Sequence, residues 1–394
     1  MGRRAAGRRP RDRGPPGTRS PGARRVTAAR PRPPGDPAGC SVLITGGAGF
    51  IGANLADSLA SAGHRVVVLD TLARPGVAAN LAWLVERHPA ALTAVTGDVR
   101  DADLVADCVA EADVVFHLAA QVAVTTSLVA PREDFTVNLG GTITVLEAAR
   151  ARRVPFVFAS TNKVYGNLPD LPVTAANDAY VPADPEIRRW GIAERQPLDF
   201  HTPYGCSKGG ADQYVLDYAR SFGIPTAVLR MSCIYGPRQM GTEDQGWVAH
   251  FLISALAGRP ISIYGDGRQV RDILHVSDAV TAYRAAWARI ESIAGQAFNL
   301  GGGPDNAVSL RQVLAHIETL VGRPVDHRFS EWRAGDQRYY VSDTRRAAAI
   351  LGLPAPMPWR QGVADLAAWL THERDGGATH GLRDRDRPLM GAAG

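Results

Sequence analysis

A short apolar run, Ser41-Val-Leu-Ile-Thr45, passes directly into Gly46-Gly-Ala-Gly49-Phe-Ile-Gly52 and then into a helical pattern that reaches Ala62. That order leaves few folds open. The run reads as a buried parallel strand. Glycines at 46, 49 and 52 let the backbone turn tightly, approach a pyrophosphate and pack helix against strand. The helix then turns its free N–H groups and positive dipole end toward the phosphates. Gly46, Gly49, Phe50, Ile51 and Gly52 are therefore candidate cofactor contacts. The spacing is G-x-x-G-x-x-G, one residue longer at its start than the common dinucleotide fingerprint.

The next strand, Arg65-Val-Val-Val-Leu-Asp70, ends in an acid 18 residues past Gly52. A carboxylate there accepts hydrogen bonds from the adenosine ribose and repels a 2′-phosphate, which favours NAD over NADP. Arg74 follows closely and leaves a partner for a 2′-phosphate within reach. A helix over 77–87, a strand over 92–96, a helix over 101–111 and a strand over 113–118 come next. Asp98 and Val99 lie past the first of these strands, where an adenine amino group can be held. Leu118, Ala119, Ala120 and Gln121 pass beneath the dinucleotide. A long helix is expected over 131–152 and a fifth strand over 155–159. Strand and helix alternate throughout, which predicts an α/β chain with a doubly wound parallel Rossmann sheet. Thr161 sits just past the fifth strand's carboxyl end, where open α/β sheets place their ligands. It offers a hydroxyl either to a substrate oxygen or to a helix cap. The Pro- and Asp-rich stretch 167–203 reads as a long loop over the site.

Tyr204 and Lys208 come four residues apart, just after Pro203, where a helix begins. Ala211, Val215, Tyr218 and Phe222 continue the same stripe at helical spacing, so phenol and ammonium belong to the buried face. An ammonium beside a phenol favours the phenolate and is expected to lower the Tyr pKa from ~10 toward neutrality. Such a Tyr can take a proton from a sugar hydroxyl and return it. Alone, a Tyr-x-x-x-Lys pair is common by chance.

Composition limits the rest. The chain has 394 residues, and no apolar run approaches the ~20 residues of a membrane span. Its four cysteines form no C-x-x-C. No metal site and no disulfide framework are expected, and a reducing, cytoplasmic setting is. Residues 1–39 hold eleven Arg and two Asp, a local charge of +9, so the remainder carries −4 against the whole chain's +5. A segment so rich in Arg, Pro and Gly cannot bury enough surface to fold, and it is expected to be a disordered leader. Nothing aromatic is interleaved with its basic residues, so nucleic-acid binding is not expected. The polar stretch 374–394 is expected to be a flexible tail.

From about Cys40 to His372 the chain resembles the extended short-chain dehydrogenases/reductases, the NAD-dependent sugar-nucleotide epimerases and dehydratases. The resemblance is carried by Thr45-Gly46-x-x-Gly49-x-x-Gly52, Asp70, Asp98, the Thr161 segment, Tyr204-x-x-x-Lys208 and the Arg271 loop. Ser160-Thr-Asn-Lys-Val-Tyr-Gly166, Leu198-Asp-Phe-His-Thr-Pro-Tyr-Gly-Cys-Ser-Lys208, Asp244-Gln-Gly-Trp247 and Gly267-Arg-Gln-Val-Arg-Asp272 resemble the branch that inverts C2 of CDP-hexoses. It implies NAD as cofactor, a nucleotide sugar as substrate, a homo-oligomer, and no nucleic-acid or membrane partner. An NAD-binding domain over 40–230, with 271–300 returning to it, is implied beside a smaller, discontinuous sugar-nucleotide domain over 231–270 and 301–373.

Carried over residue by residue, the resemblance implies Tyr204, Lys208 and Thr161 as catalytic. It implies substrate contacts at Thr126, Thr161, Asn162, Gln245, Trp247, Arg271, Arg333 and Arg338. Sugar 4,6-dehydratases place an acid pair where this chain has Asn162 and Lys163, so elimination lacks its residues. UDP-galactose 4-epimerases usually carry Asn where this chain has Cys233. The C2–H of a hexose is not acidic, so inversion implies oxidation to a transient ketone and return of hydride to the opposite face. An epimerase acting on another nucleotide sugar, such as CDP-glucose at C2 or UDP-glucose at C4, is a second reading. A dinucleotide sensor without catalysis is a third.

Overall fold

The computed structural model describes Gly2, residues 39–333 and residues 335–376. The expected leader over 1–39 and tail over 374–394 fall almost wholly outside those residues.

The first half alternates as the sequence predicts. The order is β1 (Ser41–Thr45), α1 (Phe50–Ser61), β2 (Arg65–Asp70), α2 (Val77–Arg87), β3 (Leu92–Thr96), α3 (Ala102–Ala110) and β4 (Val114–His117). Then come α4 (Val124–Val129), α5 (Pro131–Phe135), a π-helical turn (Thr136–Gly140), α6 (Gly141–Arg152) and β5 (Phe156–Thr161). The helix expected over 131–152 is thus continuous in position but broken in winding. The wider turn shifts the residues after Phe135 around the axis, a device that often marks functional sites. The fifth strand runs on to Thr161, which places that residue in the sheet itself.

The stretch 167–203 departs from the expected loop. It contains an antiparallel hairpin, β6 (Val173–Ala176) and β7 (Ala179–Pro182), and a short helix, α7 (Pro185–Trp190). Asp184 caps α7 by accepting the N–H groups of Glu186 and Ile187, the cap a Pro-rich segment supplies with Asp just before Pro. Next come α8 (Thr202–Phe222), β8 (Thr226–Met231), β9 (Cys233–Tyr235), α9 (Trp247–Ala257), β10 (Ile261–Tyr264) and β11 (Val270–His275). The chain closes with α10 (Val276–Ala288), β12 (Gln296–Leu300), β13 (Ala307–Ser309), α11 (Leu310–Val321), β14 (His327–Ser330), β15 (Tyr339–Tyr340), α12 (Arg345–Leu351) and α13 (Trp359–Gly376).

Seven parallel strands form one sheet in the order β12-β8-β5-β4-β1-β2-β3. Its central strands are buried along their whole length, because helices cover both faces. Side chains alternate between the two layers with the period of a strand. Ile44, Phe116 and Val157 enter the core shared with Leu55, Leu59 and Tyr283. Their neighbours Leu43, Val115 and Phe158 enter the core shared with Leu146 and Val215. Ala211, Val215 and Tyr218 on α8 are buried as their spacing predicts, but Phe222 is 44% exposed. The helix has reached the surface by its last turn, and Gly223 ends it in the left-handed conformation.

A second core gathers Val248, Leu252, Ile261, Ile273, Val313, Trp359 and Leu366 from α9, β10, β11, α11 and α13. Between its contributing segments the chain returns through α10 and β12, and β12 pairs with β8 in the large sheet. Among the described residues no helix is long and apolar enough to cross a membrane.

Candidate active site at the switch point of the sheet

The strand order reverses between β1 and β4, the crevice where doubly wound sheets bind ligands. Thr45 and His117 are register partners there, and Thr45 Oγ1 lies 2.6 Å from His117 Nδ1. On its other nitrogen His117 meets Thr142 Oγ1 at 3.0 Å. Full burial, then the Lys208 charge, push the His117 pKa down to about 3, so the ring is neutral at pH 7.

Gly46 has a φ of +68°, and a Cβ there would stand 2.6 Å from the Ala119 backbone nitrogen. Gly52 lies so close to the loop that a Cβ would stand 2.3 Å from the Gly46 carbonyl oxygen. Both positions therefore require glycine on packing grounds alone. Gly49 is different: its added Cβ would meet only the Gly46 oxygen, at 3.1 Å. It begins α1 without a side-chain cap, so the N–H groups of Phe50, Ile51 and Gly52 are presented with no side-chain acceptor at the helix N-terminus. Asp70 accepts from Ala48 N at 3.1 Å and Leu72 N at 2.9 Å. It thus fastens the glycine loop to β2 and stands at the same time where a ribose is expected.

Asp98 forms a salt bridge of 2.6 Å with Arg100, which also reaches Glu133 at 2.9 Å. Val99 is buried beside Gly141. Leu118 and Ala119 line the loop at Gly46, and Leu118 N donates to Thr45 O at 3.0 Å. Ala120 is half-buried beside them. Gln121 turns the other way. Its N–H donates to Asn138 Oδ1 at 2.8 Å, and its Nε2 donates to Asp134 Oδ1 at 3.1 Å.

That contact opens a network the sequence did not announce. Asp134 is fully buried and accepts from Gln121, from Asn138 Nδ2 at 3.0 Å and from Ser207 Oγ at 2.5 Å. Burial raises its pKa, against the hydrogen bond from Ser207, the Lys208 charge and the hydrogen bond from Gln121. Asp134 and Asn138 are four residues apart across the π-helical turn, a spacing that was available as a signal.

The start of α8 is strained. Thr202, a β-branched residue, has a φ of +66°, a conformation costing roughly 1–3 kcal/mol. Its Oγ1 accepts from Gly205 N at 3.3 Å, and Ser127 Oγ accepts from Tyr204 N at 3.2 Å. Side chains from two segments thus cap the helix just where Tyr204 emerges. The Tyr204 phenol lies near Thr161, whose hydroxyl favours the phenolate; Thr161 Oγ1 itself accepts from Lys163 N at 3.2 Å. Lys208 is buried, with its ammonium 4.1 Å from the centroid of the Phe158 ring. The structure thus brings Thr161, Tyr204 and Lys208 together from β5 and α8.

Their proton affinities differ from the expectation. Burial pushes the Tyr204 pKa up to about 12, although the nearby Thr161 hydroxyl works the other way; the Asp134 charge adds to the rise. Burial pushes Lys208 down to about 7, against Asp212 and Asp134. Spacing alone gives the opposite direction for Tyr204; desolvation of the phenol decides it here.

On the substrate side the expected residues divide. Arg271 is buried on β11, and its Nη2 meets Asp336 Oδ1 at 2.6 Å. Asn162 Nδ2 is 3.5 Å from Gln337 Oε1, and Gln337 donates to Gly166 O at 2.6 Å. Trp247 Nε1 donates to Cys233 Sγ at 3.4 Å. Gln245 pairs its backbone with Thr242, while its Oε1 is buried without a partner among the described residues. Arg333 lies 3.9 Å from the Tyr264 ring and 3.5 Å from Asp244. Arg338 is exposed beside Tyr180 and Trp332. Thr126 is exposed on α4; its neighbour Ser127 is the buried residue that reaches Tyr204. No cluster of three or more His, Cys, Asp or Glu placed for a metal occurs among the described residues.

Residues 42–301 match the NAD dependent epimerase/dehydratase family. The chain belongs to this family. CDP-paratose 2-epimerase of Salmonella typhi is 40% identical over 339 residues, 83% of this chain and 98% of that one. UDP-glucose 4-epimerase of Mycolicibacterium smegmatis is 35% identical over 326 residues, 82% of this chain and 96% of that one. The solved UDP-glucuronic acid 4-epimerase of Bacillus cereus, in complex with UDP-glucuronic acid and NAD, is 25% identical with a TM-score of 0.72, covering 84% of this chain and 99% of that one.

The cofactor of this epimerase/dehydratase family member is NAD, and the residues present fit it. α1 presents its N-terminus uncapped, and Asp70 is held at the end of β2. When bound, NAD supplies a hydride acceptor and donor. The chain's own part is to enclose the crevice, hold the loop through Asp70, and present a phenol beside a Thr hydroxyl.

Proposed function

We propose that this enzyme is a nucleotide-sugar epimerase that inverts C2 of a CDP-hexose of the CDP-paratose/CDP-tyvelose type, through a transient keto-sugar. The observation that carries the reading is the convergence of Thr161, Tyr204 and buried Lys208 from β5 and α8, with Asn162 and Lys163 where a dehydratase needs acids. In this reading Thr161 holds the reacting oxygen. Tyr204 takes the hydroxyl proton and gives it back, while Lys208 holds the nicotinamide ribose and supplies the charge that makes the phenol a usable base. Arg271 and Arg333 hold the diphosphate through paired charged hydrogen bonds. The likeness to the Salmonella enzyme across nearly its whole length supports the choice of sugar.

The likeness to the mycobacterial 4-epimerase favours a second reading, inversion at C4 of UDP-glucose. A panel of CDP-, UDP-, GDP- and dTDP-sugars, read by NMR, separates the two: the proposal requires turnover of a CDP-hexose with inversion at C2. Turnover confined to UDP-glucose would replace it. Exposed Leu128, Val129 and Phe135 on α4 and α5, with Tyr214 and Phe222 on α8, support the proposal of a homo-oligomer.

A further inference from the structure

Lys163 has no part in the roles above, yet it stands within the site. It follows Thr161 by two residues, where β5 ends, and its backbone N–H donates to Thr161 Oγ1 at 3.2 Å. Its Nζ donates to the Gly335 carbonyl at 3.2 Å and lies 3.9 Å from Asp336 Oδ1. The same oxygen accepts from Arg271 Nη2 at 2.6 Å. Two cations, one from the end of β5 and one from β11, therefore share one carboxylate. Cys233 on β9 faces the same spot; burial raises its pKa, so it adds no negative charge at pH 7.

The local count is two positive charges against one negative. Arg271 is 7% exposed and Lys163 23%, so water screens the surplus poorly. A cation kept from water is costly unless an anion compensates it. Burial and the Arg271 charge push the Lys163 pKa down to about 8, with Asp336 and Cys233 opposing. A planar guanidinium beside a point ammonium suits a phosphate, which accepts from both at once. The Thr161 hydroxyl at one end of Lys163 and Arg271 at the other bracket the space where a sugar joined to a phosphate must lie.

We infer that Lys163 and Arg271 together bind the sugar-bearing phosphate of the substrate, with Asp336 holding both heads in register. The inference rests on the nucleotide-sugar reading, but on neither the base nor the carbon inverted.

The test is equilibrium titration calorimetry on the full-length, NAD-loaded protein with CDP and CMP, and with UDP and UMP in parallel. Only the diphosphates carry the phosphate in question. Lys163→Ala is expected to weaken the preferred diphosphate about tenfold or more at pH 7, the worth of a charged hydrogen bond, and to leave the monophosphate unchanged. Lys163→Arg is expected to restore the affinity. Raising the pH through 8 should weaken diphosphate binding to the wild type, as Lys163 loses its proton, and not to Lys163→Arg. Unchanged diphosphate affinity in Lys163→Ala, or equal losses for monophosphate and diphosphate, would overturn the inference. If Lys163→Ala does not fold, identical pH profiles for wild type and Lys163→Arg would overturn it. Lys163-dependent binding of UDP with none of CDP would uphold it while removing the CDP reading.

Discussion

The Lys208 ammonium sits 4.1 Å from the centroid of the Phe158 ring, on the strand that ends in Thr161. A ring face attracts a cation without taking its proton. The nearest carboxylate along α8, Asp212, is already engaged by Arg230 through two bonds of 2.9 Å. Burial brings the Lys208 pKa down to about 7, with Asp212 and Asp134 opposing, and its charge responds to whatever enters the crevice. Tyr204, pushed up to about 12, holds its proton until a positive charge is gathered beside it.

Tyr204→Phe is expected to retain bound NAD and to lose turnover by a factor on the order of 10² or more, the usual worth of a positioned acid–base group. The check is turnover of whichever nucleotide sugar the wild type accepts, with the NAD content measured alongside. Normal turnover in the variant would remove Tyr204 from the proton transfer.

Asp70→Ala is expected to weaken NAD more than NADP. Part of the loss is common to both cofactors, because Asp70 also holds the N–H groups of Ala48 and Leu72. The excess for NAD isolates the ribose hydrogen bonds and the charge that repels a 2′-phosphate. Equal losses in paired titrations would leave Asp70 with the loop-holding role alone.

His117 gives a pH dependence of stability. Its folded pKa of about 3 lies below its ordinary 6.5, so between those values the unfolded chain binds a proton that the folded chain refuses. Stability therefore rises with pH across that window and is lost as pH falls from 6.5 toward 3. Urea unfolding at several pH values is expected to show a shallower acid loss in His117→Asn than in the wild type. Parallel curves would place the acid sensitivity elsewhere.

The parts of this site differ in how far spacing reveals them. The crevice was legible because strand, glycines and helix are consecutive, and because a strand buried on both faces must be apolar throughout. The Tyr204–Lys208 stripe was legible because four residues make one helical turn; the same rule overran at Phe222, where the helix leaves the core. The direction of the Tyr204 pKa was not legible, since desolvation depends on what other segments cover the phenol. Nor was the Lys163–Asp336–Arg271 cluster, whose members come from three distant segments. Ser127, whose hydroxyl accepts from Tyr204 N, was not legible either, because a six-residue helix such as α4 carries too little periodicity to show which side faces in.

In the proposed C2 inversion, hydrogen leaves C2 as hydride and returns to it without meeting water. The direct measurement uses a CDP-hexose carrying deuterium at C2, with product followed by NMR and mass spectrometry. Inverted product with deuterium fully retained at C2 is expected, with no deuterium gained there when unlabelled substrate is turned over in D2O. Solvent deuterium appearing at C2 during inversion would contradict it.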